Sequence, residues 1–550
     1  MLGEMKTSRL SPRNYFNLYM MVFDELALLE SHFIEEQKKG RRMADLYESV
    51  QHAGAVIPRL YLLVTVGAAY VKTKEAAVKL ILSDLLDMVK GVQQPTRGLF
   101  LRYYLLKMMK DILPDKGNEF EGEGGDVNDS IEFILQNMSE MNRLWVRLQH
   151  LSTNKDIEQR QMERNELRVT VGENIIRLSS LEGVTFEIYK QIVLPRILEI
   201  VVVCKDTLAQ QYLMECIIQA FPDEYHLQTL EQLLDTTSNL NVDVDIKNIF
   251  ISLMDKLSKF AAQSNQGDES MMSMIGGNLD IFRLFKKYTD KIIEEQGRNI
   301  EVSKLLELEV AFMNFCIKTY PSNISYVNQI LDSCCQILRS SQITNQDTNS
   351  MKLLVKLLTI PLDTLSIRVL KMHHYPTLMD YMKFTNKRTV ALRICKAVIK
   401  DNKILTSART VDQLLEFIKP LLIDDEQGGH EEPFEFEEGQ ECVSRLIHMI
   451  ANKTNADKYY DLLTRFKRVF SKGGKNRQKY TYPALVFALI RLSQFMCFPA
   501  ENAQEEVKIE VDIDGEQEVE PAPTVQASQL KIFKNLSELI NSLQSHQPEQ

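Results

Sequence analysis

The pattern of apolar and polar positions is helical along most of the chain. In NYFNLYMMVFDELALLESHFIEE, apolar residues recur at three- and four-residue steps, which places them on one face of an α-helix. They are Phe16, Tyr19, Met20, Phe23, Leu26 and Leu29. The same period recurs in SDLLDMVKGV, DSIEFILQNMSEMNRLWVRL, YVNQILDSCCQILRS and PALVFALIRLSQFM. The alternation typical of strands is scarce, and residues 506–513 are the one fair candidate.

The spacing of these helices indicates a repeat architecture. A helix with its turn takes roughly 24 residues and a pair roughly 45–50, near the ~40–47-residue period of HEAT and armadillo repeats. Short connections make neighbouring helices antiparallel, and stacked pairs share one continuous core. We therefore predict an all-α fold, a right-handed α-solenoid of HEAT-like antiparallel helical pairs.

Acidic segments divide the predicted array. Residues 424–440 are rich in Asp and Glu and contain no Lys or Arg, which is typical of a linker. We predict an N-terminal α-solenoid over 1–423, with a partner-binding end near 56–113. Residues 441–550 are predicted to begin an incomplete C-terminal solenoid half that carries an acidic insertion at 499–528.

Composition and charge exclude several classes of protein. Hydrophobic residues make up 44% of the chain and charged residues 25%, as in folded proteins. The net charge of -10 disfavours nucleic acid as a partner, and it disfavours an anionic membrane held by charge alone. None of the eight cysteines forms a C-x-x-C pair, and the N-terminus lacks the apolar core of a secretory signal. These features predict reduced thiols in the cytosol.

Residues 53–72 are nearly free of charge and raise the question of a membrane span. Pro58 and Arg59 interrupt the stretch, and the uninterrupted apolar part, residues 60–71, is shorter than the ~20 residues that a spanning helix needs. An arginine near the middle of a span costs about 2.5–3.5 kcal/mol. We therefore predict a helix of a soluble protein here.

The chain offers no recognisable catalytic or metal-binding motif. A Walker phosphate loop, H-E-x-x-H and G-x-S-x-G are all missing from the sequence. His373 and His374 are adjacent, and on a helix they would diverge by about 100°. We predict no catalytic residue, no cofactor and no metal site, and hence a protein that is not an enzyme.

Residues 465–479 are rich in Lys and Arg, with Phe466 and Phe470 interleaved. A patch for nucleic acid or phospholipid is one interpretation. The favoured alternative is an amphipathic helix followed by a basic loop, close in sequence to acidic segments that can neutralise it.

Pro58 and Arg59 begin the helix in VIPRLYLLVTVGAAYVK. Pro58 fits the first turn because its missing N–H is not needed there. Both faces beyond it are apolar, so packing explains the leucines and valines. Packing does not explain Arg59, because an unpaired buried guanidinium costs on the order of several kcal/mol. As the second residue of the predicted helix, Arg59 reaches the helix end, where a partner contact and an internal salt bridge both stay open.

The wording of this stretch resembles a known family. VIPRLYLLVTVGAAYVK, followed by GVQQPTRGLFLRYYLLKMMKDILPD, is similar to the large subunit of retromer, vacuolar protein sorting-associated protein 35. ADLYESVQHAG, MNRLWVRLQH, ELRVTVGENIIRLSSLEGV, YKQIVLPRILE and LAQQYLMECIIQAFPDEYHLQTL agree in the same order. The resemblance is dense over roughly the first 240 residues and then thins, although RLIHMI and GGKNRQKYTYPALVFALIRL still look like family blocks.

The resemblance implies a long curved α-solenoid that scaffolds retromer, a coat that retrieves membrane cargo from endosomes to the Golgi or the plasma membrane. In that family the P-R-L-Y-L-L block docks the arrestin-like subunit, vacuolar protein sorting-associated protein 26. The expected partner-binding residues are therefore Pro58, Arg59, Leu60, Tyr61, Leu62 and Leu63.

Further partners are implied in the same way. They are sorting nexins, a small GTPase and cargo tails, with the protein cytoplasmic and peripheral on endosomal membranes. Family chains extend beyond both ends of this one, so we expect a chain that is truncated at both ends. The metallophosphoesterase-fold subunit, vacuolar protein sorting-associated protein 29, is then a partner only if the shortened C-terminal half suffices.

One alternative of a different class has the same architecture. A HEAT-type adaptor of nuclear transport or of a phosphatase assembly is also an α-solenoid. It does not account for the P-R-L-Y-L-L block, and the visible tandem consensus that would favour it is absent from the sequence.

Overall fold

The computed structural model of the chain describes most of its length. The described residues are 2–7, 10–122, 124–148, 157–264, 280–296, 301–321, 323–340, 348–423, 433–451, 455–497 and 528–543. Within these ranges the regular structure is helical and no strand occurs. Two isolated β-bridges join Gly122 to Gly125 and Leu405 to Ile450. The predicted all-α solenoid class is thereby confirmed, whereas its handedness and its likeness to HEAT repeats stay predictions.

The chain divides into two compact units, one of residues 1–256 with 272–279 and one of residues 257–271 with 280–550. The first unit holds α1 to α12 and the beginning of α13. Their bounds are α1 Pro12–Lys38, α2 Met43–Gln51, α3 Val56–Lys72, α4 Val78–Lys90, α5 Pro95–Met109, α6 Val127–Arg147, α7 Ile157–Ser179, α8 Phe186–Ile188, α9 Leu194–Val203, α10 Thr207–Ala220, α11 Asp223–Gln228, α12 Leu230–Thr237 and α13 Ile246–Ser264. A short 3-10 helix, Glu4–Lys6, precedes them.

The first unit is a two-layer stack. Helices α1, α3, α5 and α7 pack on one another in succession and form one layer. Helix α4 packs on α6 in the other layer, and α2, α5 and α7 each contact the neighbouring helix of the opposite layer. Helices α3, α4 and α5 each contact the next one and the next but one, which is how stacked helical pairs share a continuous core.

The second unit holds the end of α13 and the thirteen described helices α14 to α26. Their bounds are α14 Ile281–Gln296, α15 Val302–Thr319, α16 Ile324–Ser340, α17 Thr348–Thr359, α18 Leu362–Leu365, α19 His374–Asp380, α20 Phe384–Asp401, α21 Ala408–Phe417, α22 Lys419–Leu422, α23 Pro433–His448, α24 Ala456–Phe470, α25 Lys475–Cys497 and α26 Gln529–Ser542, with a 3-10 helix, Ser366–Lys371, after α18. Helix α15 packs on α16 and α17, α20 packs on α23, and α25 packs on α23, α24 and α26.

Capping residues and prolines mark where several of these helices begin. Ser11 caps α1, and Pro12 follows it as the first helical residue. The Asp126 carboxylate accepts the backbone N–H of Asp129, and the Asp129 carboxylate accepts that of Asp126, which forms a capping box at α6. A π-helical turn, Tyr189–Val193, joins α8 to α9. It ends at Val193, two residues before Pro195, which has no N–H to continue the α-helical ladder.

The predicted internal boundaries are only partly described. Helix α23 begins at Pro433, so the last residues of the predicted linker 424–440 are helical, and residues 424–432 lie outside the described residues. The division there stays a prediction. Nearly all of the predicted insertion 499–528, including the strand candidate 506–513, also lies outside the described residues.

Candidate partner-binding groove

The P-R-L-Y-L-L block occupies the first two turns of α3. The helix begins at Val56, after Ala55, whose side chain makes no capping hydrogen bond. Pro58 is therefore the third helical residue, within the first turn as predicted. The prediction that Arg59 is the second residue of the helix was wrong by two positions, because a start at Ala55–Val56 carries no capping signal in the sequence.

Burial divides the six residues of the block into two sets. Leu60, Tyr61 and Leu63 are 4%, 0% and 1% exposed, so they belong to the core. Pro58, Arg59 and Leu62 are half-buried. The sequence predicted all six as partner-binding; Pro58, Arg59 and Leu62 are the three that expose more of their side chains.

Arg59 closes the end of the preceding helix. Its guanidinium donates to the backbone carbonyls of Gln51 and Ala53, at 3.4 and 3.3 Å. Gln51 is the last residue of α2, where carbonyls lack helical partners and a cation is favoured by the helix dipole. Within the described ranges no carboxylate lies within ion-pair distance of Arg59, so the internal salt bridge that the sequence left open is not formed there.

An open groove of about 500 Å³ lies beside Arg59, between the end of α2, the start of α3 and the end of α4. Five apolar side chains line it, those of Val56, Leu60, Leu63, Met88 and Val92, but polar atoms make up more of its exposed surface. Arg59 and Asp84 supply one positive and one negative charge. The lining residues are Gln51, Val56, Arg59, Leu60, Leu63, Asp84, Met88, Gly91 and Val92. Val56 is 52% exposed at the first position of α3.

Hydrogen bonds from neighbouring helices hold the walls of the groove. The Tyr47 hydroxyl on α2 donates to the Asp84 carboxylate on α4 at 2.7 Å. Burial, followed by this bond to Asp84, raises the pKa of Tyr47 well above its ordinary value of 10. Asp84 itself remains exposed, so its second oxygen is accessible from the groove.

An aromatic cluster lies beneath the block. The Tyr61 ring packs 5.1 Å from that of Tyr104 on α5, whose hydroxyl is 2.8 Å from the Thr65 hydroxyl on α3. Phe100 on α5 in turn packs 5.3 and 5.2 Å from Tyr15 and Tyr19 on α1. These contacts join α1, α3 and α5, and they fix the position of α3 and hence of Arg59.

The other candidate regions have structural explanations. Phe466 and Phe470 are buried, and Arg465 pairs with Asp412 and Asp461. Lys467 donates to the Glu538 carboxylate on α26 at 2.7 Å. This arrangement agrees with the amphipathic helix that the sequence favoured, although α25 already begins at Lys475 and shortens the predicted basic loop.

The histidines and cysteines form no cluster in the part of the chain that the structure describes. No group of three His, Cys, Asp or Glu side chains could hold a metal ion among those residues. His373 immediately precedes α19 without a side-chain capping hydrogen bond, and His374 is the first residue of that helix. The free thiols are Cys204, Cys216, Cys316, Cys334, Cys335, Cys395 and Cys442. None of the described helices is both long and apolar enough to cross a bilayer.

A stack of helices that share one continuous core defines a class, the α-helical repeat proteins. The sequence profile of the family described as vacuolar protein sorting-associated protein 35 matches residues 1–550. The chain therefore belongs to the vacuolar protein sorting-associated protein 35 family. The match also decides against the HEAT-type adaptor that the sequence had left as an alternative.

Curated relatives support the same assignment. Vacuolar protein sorting-associated protein 35A of Arabidopsis thaliana is 41% identical over 91% of this chain and 63% of its own length. The protein 35 of Dictyostelium discoideum is 41% identical over 89% of this chain and 62% of its own length. That of Schizosaccharomyces pombe is 31% identical over 92% of this chain and 64% of its own length. The chain thus spans less than two thirds of these relatives.

A solved circular tandem repeat protein with a novel repeat topology aligns with 98% of the chain, at a TM-score of 0.26 and 10% identity. Values this low carry no argument.

Proposed function

We propose that this chain is the scaffold subunit of the retromer cargo-retrieval coat. It mediates transport from endosomes to the Golgi and the plasma membrane by holding the arrestin-like subunit, adaptors and cargo together. The family match supports this role. Because a stiff scaffold makes each later contact intramolecular, weak individual contacts add up to stable binding.

The proposed partners follow from the same role. The arrestin-like subunit, vacuolar protein sorting-associated protein 26, docks at the groove. Sorting nexins, a small GTPase and cargo tails bind elsewhere on the chain. The metallophosphoesterase-fold subunit, vacuolar protein sorting-associated protein 29, binds if the C-terminal half present here suffices. The protein acts in the cytoplasm and reaches endosomal membranes through these partners, and it catalyses no reaction.

One observation carries the proposed docking site. The half-buried Arg59 lines a groove of mixed polar and apolar character, and its described contacts are with backbone carbonyls. A guanidinium held in this way has donors left for a partner's carboxylate or carbonyl. The apolar side chains of the lining, with the exposed Val56 among them, offer area that a protein segment can bury.

A matched pair of substitutions tests the docking site. Val56 and Leu80 are both large exposed apolar residues in the first turn of a helix, but only Val56 lines the groove. An aspartate in a first turn is compatible with the helix dipole, so neither Val56→Asp nor Leu80→Asp should unfold the chain. We expect calorimetric titration with the arrestin-like subunit to show binding by the parent and by Leu80→Asp, and affinity reduced by about tenfold or more for Val56→Asp.

Absence of binding by the folded parent would contradict the proposed partner. Equal affinities of the two variants would contradict the proposed place of docking.

A further inference from the structure

Arg102 is a buried arginine that does not itself line the groove of the proposed docking site. It lies on α5 and is 2% exposed. Its Nη1 donates to the carbonyl oxygens of Val92 and Gly98, at 3.1 and 3.2 Å. Glu140 on α6 lies 3.9 Å from its Nη2. Burial lowers the pKa of Arg102 to about 10, so the guanidinium is still charged at neutral pH.

The residue whose carbonyl Arg102 holds, Val92, lines the groove. Val92 and Gly91 lie between α4 and α5, and both line the groove beside Arg59. Burying an arginine in order to bind a loop carbonyl costs free energy, because the charge of the guanidinium must be desolvated. A planar guanidinium on a rigid helix, however, fixes the direction of that carbonyl.

Gly98 makes this contact sterically possible. A Cβ at position 98 would lie 2.5 Å from the Val92 carbonyl oxygen and 3.0 Å from Arg102 Nη1. The first of these atoms is backbone, so it could not move without moving the loop. Gly98 and Arg102 are four residues apart and thus lie on the same face of α5. We call Gly98, Arg102 and the Val92 carbonyl the loop anchor.

We infer that Arg102 is a positioning residue for the partner-binding groove, which it shapes by fixing the Gly91–Val92 wall. This inference rests on the proposed function, since it assigns a role within the same docking site. Other contacts help to hold the segment between α4 and α5. Gln94 caps α5 with a 2.6 Å bond from the Arg97 N–H, and Arg147 donates to Gln93 at 3.1 Å. These bonds reach Gln93 and Gln94, whereas the bond from Arg102 reaches Val92 itself.

Four variants separate positioning from stability. Arg102→Met keeps the volume but removes the donors, Arg102→Lys keeps the charge but removes the planar fork, and Gly98→Ala displaces the Val92 carbonyl. The control is Arg164→Met, which removes another buried arginine of the same unit. Arg164 pairs with Asp206 at 2.8 Å and lines no part of the groove.

The variants are compared in two measurements at a temperature at which circular dichroism shows them folded. Titration with the arrestin-like subunit is expected to show about tenfold weaker binding for Arg102→Met and Gly98→Ala, an intermediate value for Arg102→Lys, and the parent's affinity for Arg164→Met. Hydrogen exchange at the Gly91 and Val92 amides is expected to accelerate in Arg102→Met and Gly98→Ala, and to stay at the parent's rate in Arg102→Lys and Arg164→Met.

Parent-like affinity and exchange in Arg102→Met would overturn the inference. If Arg102→Met does not fold, Gly98→Ala decides by the same two criteria. If the parent itself does not bind, the proposed docking partner fails. The exchange measurement then still decides whether Arg102 fixes the loop, because it needs no partner.

Discussion

Leu60 and Leu62 lie two positions apart on α3, yet they face different surroundings. Leu60 is 4% exposed, whereas Leu62 is half-buried. Leu60→Ala is therefore expected to lower the free energy of unfolding by about 2–5 kcal/mol, and Leu62→Ala by less than about 1 kcal/mol. Urea denaturation followed by circular dichroism measures both. Similar losses for the two variants would show that Leu62 is also a core residue and would contradict its prediction as a partner-binding residue.

Glu309 is a buried carboxyl group whose environment disfavours its charge. It lies on α15, is 1% exposed, and neither carboxylate oxygen has a hydrogen-bond partner in the described structure. Burial raises its pKa from 4.5 to about 8, with Lys286 opposing the shift and Asp290 adding to it. Cys334 on α16 also faces it, and the pKa of that thiol is raised by burial and by Glu309.

The raised pKa of Glu309 predicts a dependence of stability on pH. Because the folded state binds this proton more tightly, the stabilisation is complete below pH 4.5. It is lost as the pH rises towards 8, by on the order of a few kcal/mol. Glu309→Gln should remove this slope, so the variant should gain stability relative to the parent between pH 5 and 8. Denaturation curves that keep the same separation at every pH would contradict the prediction.

At the scale of single elements, α1 illustrates what periodicity can predict. The pattern gave a helix here, and the structure has one at Pro12–Lys38. The predicted stripe included Phe16 and Met20, which are 37% and 39% exposed. The buried face is instead Tyr15, Tyr19, Val22, Leu26 and Glu30. Apolar residues on α1 fit two overlapping stripes, and the neighbours α3 and α5 select one of them.

For the docking site, as for α1, the sequence predicted the helix and its burial but not the contacts of particular side chains. The resemblance located the P-R-L-Y-L-L block, and the apolar faces of α3 predicted its burial. The partners of Arg59 were not predictable, because they are backbone carbonyls at the end of α2 and depend on how α2 packs on α3. Arg102 was missed for the same reason. The G-x-x-x-R spacing in RGLFLR was the available signal, but its meaning needs the loop carbonyl that it holds.

The capping box of α6 permits a prediction for that element. Asp126 and Asp129 accept each other's backbone N–H at 2.9 and 3.0 Å. Asp126→Ala should lower the free energy of unfolding by about 1 kcal/mol. The exposed mid-helix Asp24 of α1 provides the control, because Asp24→Ala removes a carboxylate without removing a cap. Equal effects in urea denaturation would mean that the capping box adds nothing to stability.

At the scale of the whole molecule, charge argues against nucleic acid as a partner. The net charge is -10, and Arg465 and Lys467 of the basic segment are bonded to carboxylates. We expect no retardation of duplex DNA or RNA in a mobility-shift titration at about 150 mM salt. Binding that weakens steeply with added salt would contradict this expectation and would return residues 465–479 to the patch hypothesis.

In the proposed function, the groove beside Arg59 docks the arrestin-like subunit. The most direct test of this docking is calorimetric titration of that subunit with the parent chain, Arg59→Met and Arg97→Met. Arg97 is the matched control, because it is also half-buried, donates to a backbone carbonyl (that of Thr7, at 3.3 Å) and lies outside the groove. We predict binding by the parent and by Arg97→Met, and affinity reduced by about tenfold or more for Arg59→Met. Parent-like affinity of a folded Arg59→Met would contradict the claim.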